Sequence, residues 1–132
     1  MLSDAEASAT IAVVDVSRAK SFYRDTLRLA IGEERPTGLR FDCGGGTFII
    51  VYPSPSAGSA RSTVAGFQVD DLDATMADLR SRGVKFENYD SPGLKTRDGV
   101  AELGPLRVRV CWFKDPDGNI LSIVARTIAA AP

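Results

Sequence analysis

Apolar and polar positions alternate with period two from residue 8, giving SATIAVV, and again from residue 64, giving VAGFQVD. Both read as half-buried strands. Each runs into V-x-D-[VL]: Val13-Val14-Asp15-Val16 and Val69-Asp70-Asp71-Leu72. The period then changes to that of a helix. Val16, Ala19, Phe22, Tyr23 and Leu27 share one stripe, predicting a helix to about Arg28 with Asp15 or Ser17 as cap. Leu72, Met76 and Leu79 share another, with Asp71 or Asp73 as cap and Gly83 as terminator. Such stripes are core-packing faces before they are ligand sites.

Strand patterns follow each helix. In the first half they cover roughly 30–34, 38–43 and 47–53, with a glycine turn, Cys43-Gly44-Gly45-Gly46-Thr47, between the last two. That glycine run precedes a strand, so it lacks the helix a phosphate loop needs. In the second half the patterns cover roughly 84–88, 99–103, 106–113 and 119–125. The last two flank Asp115-Pro116-Asp117-Gly118-Asn119, whose residue types all favour a turn. Residues 53–62, PSPSAGSARS, have linker composition, and 89–102 reads as a long charged loop. The chain is thus two tandem β-α-β-β-β units, about 7–53 and 62–126, joined by a linker at about 54–61.

Length and composition narrow the class. The 132 residues suit one domain. A net charge of −1, with scattered Lys and Arg, gives no basis for nucleic-acid or anionic-membrane partners. The first ten residues do not resemble a signal peptide, and no apolar run is long enough to span a membrane, so the expected location is the cytoplasm. Cys43 and Cys111 fit no metal or redox spacing and read as buried thiols. The chain contains no histidine, which removes the commonest general base and transition-metal ligand.

The two V-x-D-[VL] signals at a fixed register, with DPDGN before the final strand, resemble the vicinal oxygen chelate superfamily. That group includes glyoxalase I, extradiol dioxygenases and bleomycin-resistance proteins. The phrases YPSPSAG, YDSPGLKTRDGVAEL and CWFKDPDGNIL are similar to a bacterial glyoxalase-like branch. The resemblance covers nearly the whole chain. It implies an α+β fold in which the two units form a half-open curved sheet around one cavity, with helices outside. It also implies a homodimer, consistent with sheet edges that partners cover.

In that superfamily a metal is held seven residues before each V-x-D aspartate, near the end of the first unit's last strand, and four residues after the DPDGN glycine. Carried over, these positions are Ser8, Val64, a residue of Phe48–Tyr52, and Ser122. None is a usual ligand, since catalytic metals need about three His, carboxylate or thiolate donors. The expectation is therefore no metal and no cofactor.

Alternation places Ser8, Thr10, Ala12 and Val14 on the cavity face of the first strand, and Val64, Gly66, Gln68 and Asp70 on that of the fifth. Ser122 faces the cavity by the family register or is simply a small packed residue; both readings exclude a metal there. Gly66 implies close ligand approach or a bulge. Gln68 is a directional polar group or a solvated edge. Trp112 and Tyr52 are candidate aromatic platforms. The candidate ligand-binding set is Ser8, Thr10, Tyr52, Gln68, Trp112 and Ser122. No catalytic residue is assigned, although Glu102, if buried, could serve as a base.

Two readings follow. The first is a metal-independent binding protein that sequesters an unidentified hydrophobic or aromatic small molecule. The missing ligands favour it, although bleomycin itself suits a more acidic chain. The alternative is a glyoxalase- or dioxygenase-like enzyme with an unrecognised metal site or metal-free acid/base catalysis. A third possibility is a cavity filled by side chains.

Overall fold

The computed structural model describes residues 1–126. Ten strands and two helices follow in the order β1 (Ala9–Val13), α1 (Val16–Ser21), β2 (Ala30–Arg35), β3 (Gly38–Asp42), β4 (Phe48–Pro53), β5 (Thr63–Val69), α2 (Leu72–Ser81), β6 (Asp90–Ser91), β7 (Leu94–Lys95), β8 (Val100–Leu103), β9 (Val108–Lys114) and β10 (Ile120–Ala125). Two four-stranded sheets result, with strand orders β1-β4-β3-β2 and β5-β10-β9-β8. This is the α+β arrangement of two β-α-β-β-β repeats that the sequence pattern predicts.

Contacts divide the chain into two compact units. The first holds residues 1–65 together with Asp115–Ile120. In its core Ile11, Val13, Leu39, Phe41, Ile49 and Val51 meet Ala19 and Tyr23 from the helical segment, all buried. Asp15 caps α1, its Oδ1 accepting from the amides of Ser17 and Arg18. The helix is shorter than its apolar stripe suggests. From Phe22 to Thr26 the backbone widens into a π turn, with the Leu27 amide donating to the Phe22 carbonyl.

The second unit holds Gly66–Lys114 and the stretch beginning at Leu121. Leu72, Met76 and Leu79 of α2 are buried, as are Cys111 and Phe113 of β9 and Leu121 and Ile123 of β10. Asp71 caps α2 by accepting from Ala74, and Gly83 follows its end at φ +90°.

Several boundaries differ from the sequence pattern. Val14 leaves β1 and is 66% exposed. Its amide donates to Asp117 Oδ1. The stretch 84–88 is not a strand: only Phe86 makes a bridge, to Phe113, and the Val84 amide is held at the end of α2. The segment expected to be an open loop contains the short β6–β7 hairpin.

The division between units falls inside β5, beyond the Ser- and Pro-rich linker, and the DPDGN turn clusters with the first unit. Side-chain hydrogen bonds account for the second feature. Asp115 accepts from the Tyr23 hydroxyl at 2.8 Å, and Asn119 donates to the Ala12 carbonyl at 2.8 Å. Asn119 also accepts from the Gly58 amide.

Candidate functional site: the open faces of the two sheets

The first sheet buries alternate residues against its helical segment, so the intervening residues share the other face; in the second, β9 and β10 bury consecutive residues, and the bond from Arg109 to Asp73 marks the side that carries α2. In the first sheet the register places Thr10 beside Ile50 and Ile50 beside Arg40. Glu33 continues this row beside Arg40. A second row runs Ala12, Tyr52. Phe48 lies opposite Asp42 on the third. The Arg40 guanidinium sits 3.8 Å above the Phe48 ring, and its Nε donates to Asp42 at 2.9 Å. Arg40 thus presents a flat cation already stacked on an aromatic ring. A hollow of about 180 Å³ opens beside it, lined in part by Glu33, Arg35, Arg40, Phe48 and Ile50.

Of the expected residues in this unit, Thr10 and Tyr52 share the face. Tyr52 is half-buried and Thr10 exposed. Ser8 precedes β1 and is exposed. Phe48, Ile50 and Arg40 belong to the face as well but are missing from the candidate set. The signal for the first two was present in the alternation of TFIIVYP, where Ile49 and Val51 supply the buried half.

In the second sheet, Gly66 and Ser122 lie on one face. A Cβ built on Gly66 would fall 2.7 Å from Ser122 Oγ. A side chain on this glycine would meet the serine hydroxyl, so Gly66 is required by its packing against Ser122. Ser122 is 8% exposed. Gln68, two residues along from Gly66, is exposed. Trp112 is half-buried on β9, and its ring meets Tyr89 edge-on at 5.6 Å. Part of that platform is already covered by Tyr89. Val110 and Ala101, paired across β8 and β9, are buried.

The superfamily's metal does not fit these residues. Val64 offers hydrocarbon, Phe48–Tyr52 offer hydrocarbon and one phenol, and Ser8 and Ser122 offer neutral hydroxyls. Among the described residues no three His, Cys, Asp or Glu side chains gather where they could hold a metal ion.

Nor do the thiols look reactive. Burial pushes Cys111 up to about 11 and raises Cys43 as well, with Asp42 adding to the latter. Both are free cysteines. A raised thiol pKa means little thiolate at neutral pH and a poor nucleophile. Burial, then the neighbouring Asp115 carboxylate, raises the Tyr23 phenol far above its ordinary value. Tyr23 is therefore a fixed hydrogen-bond donor. Glu102 is exposed.

Residues 7–123 match the Glyoxalase/Bleomycin resistance protein/Dioxygenase superfamily. The chain belongs to this superfamily. Within the wider set of relatives it is 30% identical to the uncharacterized protein YraH of Bacillus subtilis (strain 168), with 84% of this chain and 90% of that one aligned. Among solved structures it resembles TnmS3, an antibiotic binding protein from Streptomyces sp. CB03234, with a TM-score of 0.66 and 24% identity over 94% of this chain and 98% of that one. It also resembles lactoylglutathione lyase from Agrobacterium tumefaciens, with a TM-score of 0.67 and 18% identity over 92% and 93%. One superfamily fold thus hosts both a binding protein and a lyase, so the likeness establishes fold and leaves activity to the site. Among the described residues no helix is long and apolar enough to cross a membrane.

Proposed function

We propose that this superfamily member is a metal-independent binding protein that sequesters a hydrophobic or aromatic small molecule. The chemistry at the inherited metal positions carries the reading: hydroxyl at Ser8 and Ser122, hydrocarbon at Val64 and along most of β4. Such a set cannot hold a transition metal, yet it suits the apolar lining of a small-molecule site. The candidate contacts are Ser8, Thr10 and Tyr52, to which we add Phe48 and Ile50, in the first unit, and Gln68, Trp112 and Ser122 in the second. The similarity to TnmS3, an antibiotic binding protein, shows that this fold can serve capture.

In this proposal the repeats act as one domain, and two copies associate as a homodimer. Two free thiols suit the reducing cytoplasm.

Trp112 is the chain's one tryptophan, so its emission reports directly on the second sheet's open face. Titrating the chelator-treated protein with a panel of planar hydrophobic compounds should quench or shift that emission and raise the melting temperature. Gln68→Ala, in the same sheet as Trp112, should weaken that binding by roughly threefold to tenfold, as loss of a hydrogen-bonding contact does. Protein purified without chelator should carry no stoichiometric metal. A bound Zn, Ni, Mn or Fe ion would restore the enzyme reading, and a flat response across a broad panel would reject capture.

A further inference from the structure

A single helix cannot cover a four-stranded sheet. Strands about 4.8 Å apart span roughly 14 Å between the outer axes, whereas a helix with its side chains is about 10–12 Å wide. In the second unit the uncovered part lies over the edge strand β8. A groove of about 770 Å³ opens there, well within the range of small-molecule pockets. Asp73, Met76 and Arg80 of α2 form one wall, residues 95–98 the other, and Val100, Glu102 and Arg109 the sheet side. It lies on the helix-bearing face of the sheet, because Arg109 reaches Asp73 of α2 and alternation sets Val100 and Glu102, paired with Cys111 and Arg109, on that same side. The proposed ligand residues Gln68, Trp112 and Ser122 belong to the other face.

The far wall is built, not merely left over. Asn88 Oδ1 accepts from the Gly99 amide at 2.9 Å and from Thr96 Oγ1 at 3.2 Å. Thr96 Oγ1 in turn accepts from the Tyr89 amide. Asp98 and Gly99 both take positive φ, +52° and +84°, a costly backbone for the aspartate that these bonds hold in place. Gly99 is also required by packing, since a Cβ there would lie 3.0 Å from Phe86 Cβ.

Charge selects the ligand. Four basic and three acidic side chains line the groove. Arg109 directs both terminal nitrogens at the Asp73 carboxylate, at 3.3 and 2.8 Å, so that pair is satisfied internally. Arg80 donates to the Asp98 carbonyl while stacking over Phe86 at 5.1 Å. Lys95 and Arg97 make no side-chain ion pair among the described residues. The remaining surplus is one positive charge: Arg80, Lys95 and Arg97 against Asp98 and Glu102. A dianion such as phosphate would face those two carboxylates, and a cation would meet the three basic side chains. A single negative charge fits. The half-buried Val100 and the end of Met76 supply an apolar floor for the rest of the ligand.

We propose that this groove binds a small carboxylate bearing an apolar tail, at a site separate from the open sheet faces. Octanoate is the probe, with octylammonium as the charge-reversed control and inorganic phosphate as the dianion. Binding is followed by NMR on the uniformly labelled full chain. Octanoate should shift the Met76 and Val100 methyl signals and leave the Trp112 indole signal in place. Lys95→Ala together with Arg97→Ala should weaken it about tenfold or more, in line with the loss of charge-assisted contacts. Both residues are exposed and unpaired, so the variant should keep its melting temperature. Absence of octanoate binding, equal binding of octylammonium or phosphate, unchanged affinity in the double variant, or shifts confined to Trp112 would each overturn the proposal. Planar compounds that move only the Trp112 signal test the proposed function independently.

Discussion

Ser122 interrupts an apolar strand because Gly66 opposite has no side chain. The pair is a local fit of hydroxyl into the space a methyl would take, with 2.7 Å between Ser122 Oγ and the position of a Gly66 Cβ. Gly66→Ala is therefore expected to destabilise the fold by about 1–3 kcal/mol through overpacking. Adding Ser122→Ala should recover much of that loss, and a double-mutant cycle by urea denaturation measures the coupling. Residue identity alone could place Ser122 on this face but could not name its neighbour, because strand register is a tertiary property. A second residue-scale expectation concerns pH. Cys111 keeps its proton in the folded chain up to about 11, against an ordinary thiol value of 9.0. The unfolded chain releases its proton first, so stability falls as pH rises between those values, by about 2–3 kcal/mol. Tyr23, also raised, extends the fall above its ordinary value of 10.0. Cys111→Ala should flatten the lower part of the profile, read as urea midpoints from neutral pH to 11.

At the scale of elements, what was legible was whatever short-range chemistry determines. Asp15 and Asp71 cap their helices because a carboxylate before a helical stripe accepts the free first-turn amides. Gly83 ends α2 because it can take positive φ. The π turn at Phe22–Thr26 was not legible: an apolar stripe cannot distinguish one wide turn from regular helix. Nor was the fate of 84–88, whose strand-like composition meets β9 only through the Phe86 bridge and the Glu87 amide, which donates to the Trp112 carbonyl. The DPDGN turn was recognisable, but its use was not. Asn119 is 3% exposed and satisfies the Ala12 carbonyl, the Gly58 amide and Asp115 together. Asn119→Ala leaves the part-buried Ala12 carbonyl and Gly58 amide without this partner, while Asp115 keeps the Tyr23 hydroxyl, and is expected to cost about 1–3 kcal/mol, seen as a lower urea midpoint at unchanged slope.

At the scale of the whole molecule, the repeat pattern and its superfamily were readable from two helix-start signals and one turn. The open faces were readable only in part. Thr10 and Tyr52 follow from alternation, whereas the stacking of Arg40 on Phe48 needs two strands in register. The 770 Å³ groove was wholly hidden, because it arises from the mismatch in width between one helix and four strands. The composition of the first unit has a further consequence. Severing the chain in the Ser- and Pro-rich linker would not release a whole half: the front fragment would lack residues 115–120, and the Tyr23 hydroxyl would lose its acceptor. A separated front piece should stay unfolded until the back piece is supplied, so a reporter split at that linker would signal only upon reunion of the two.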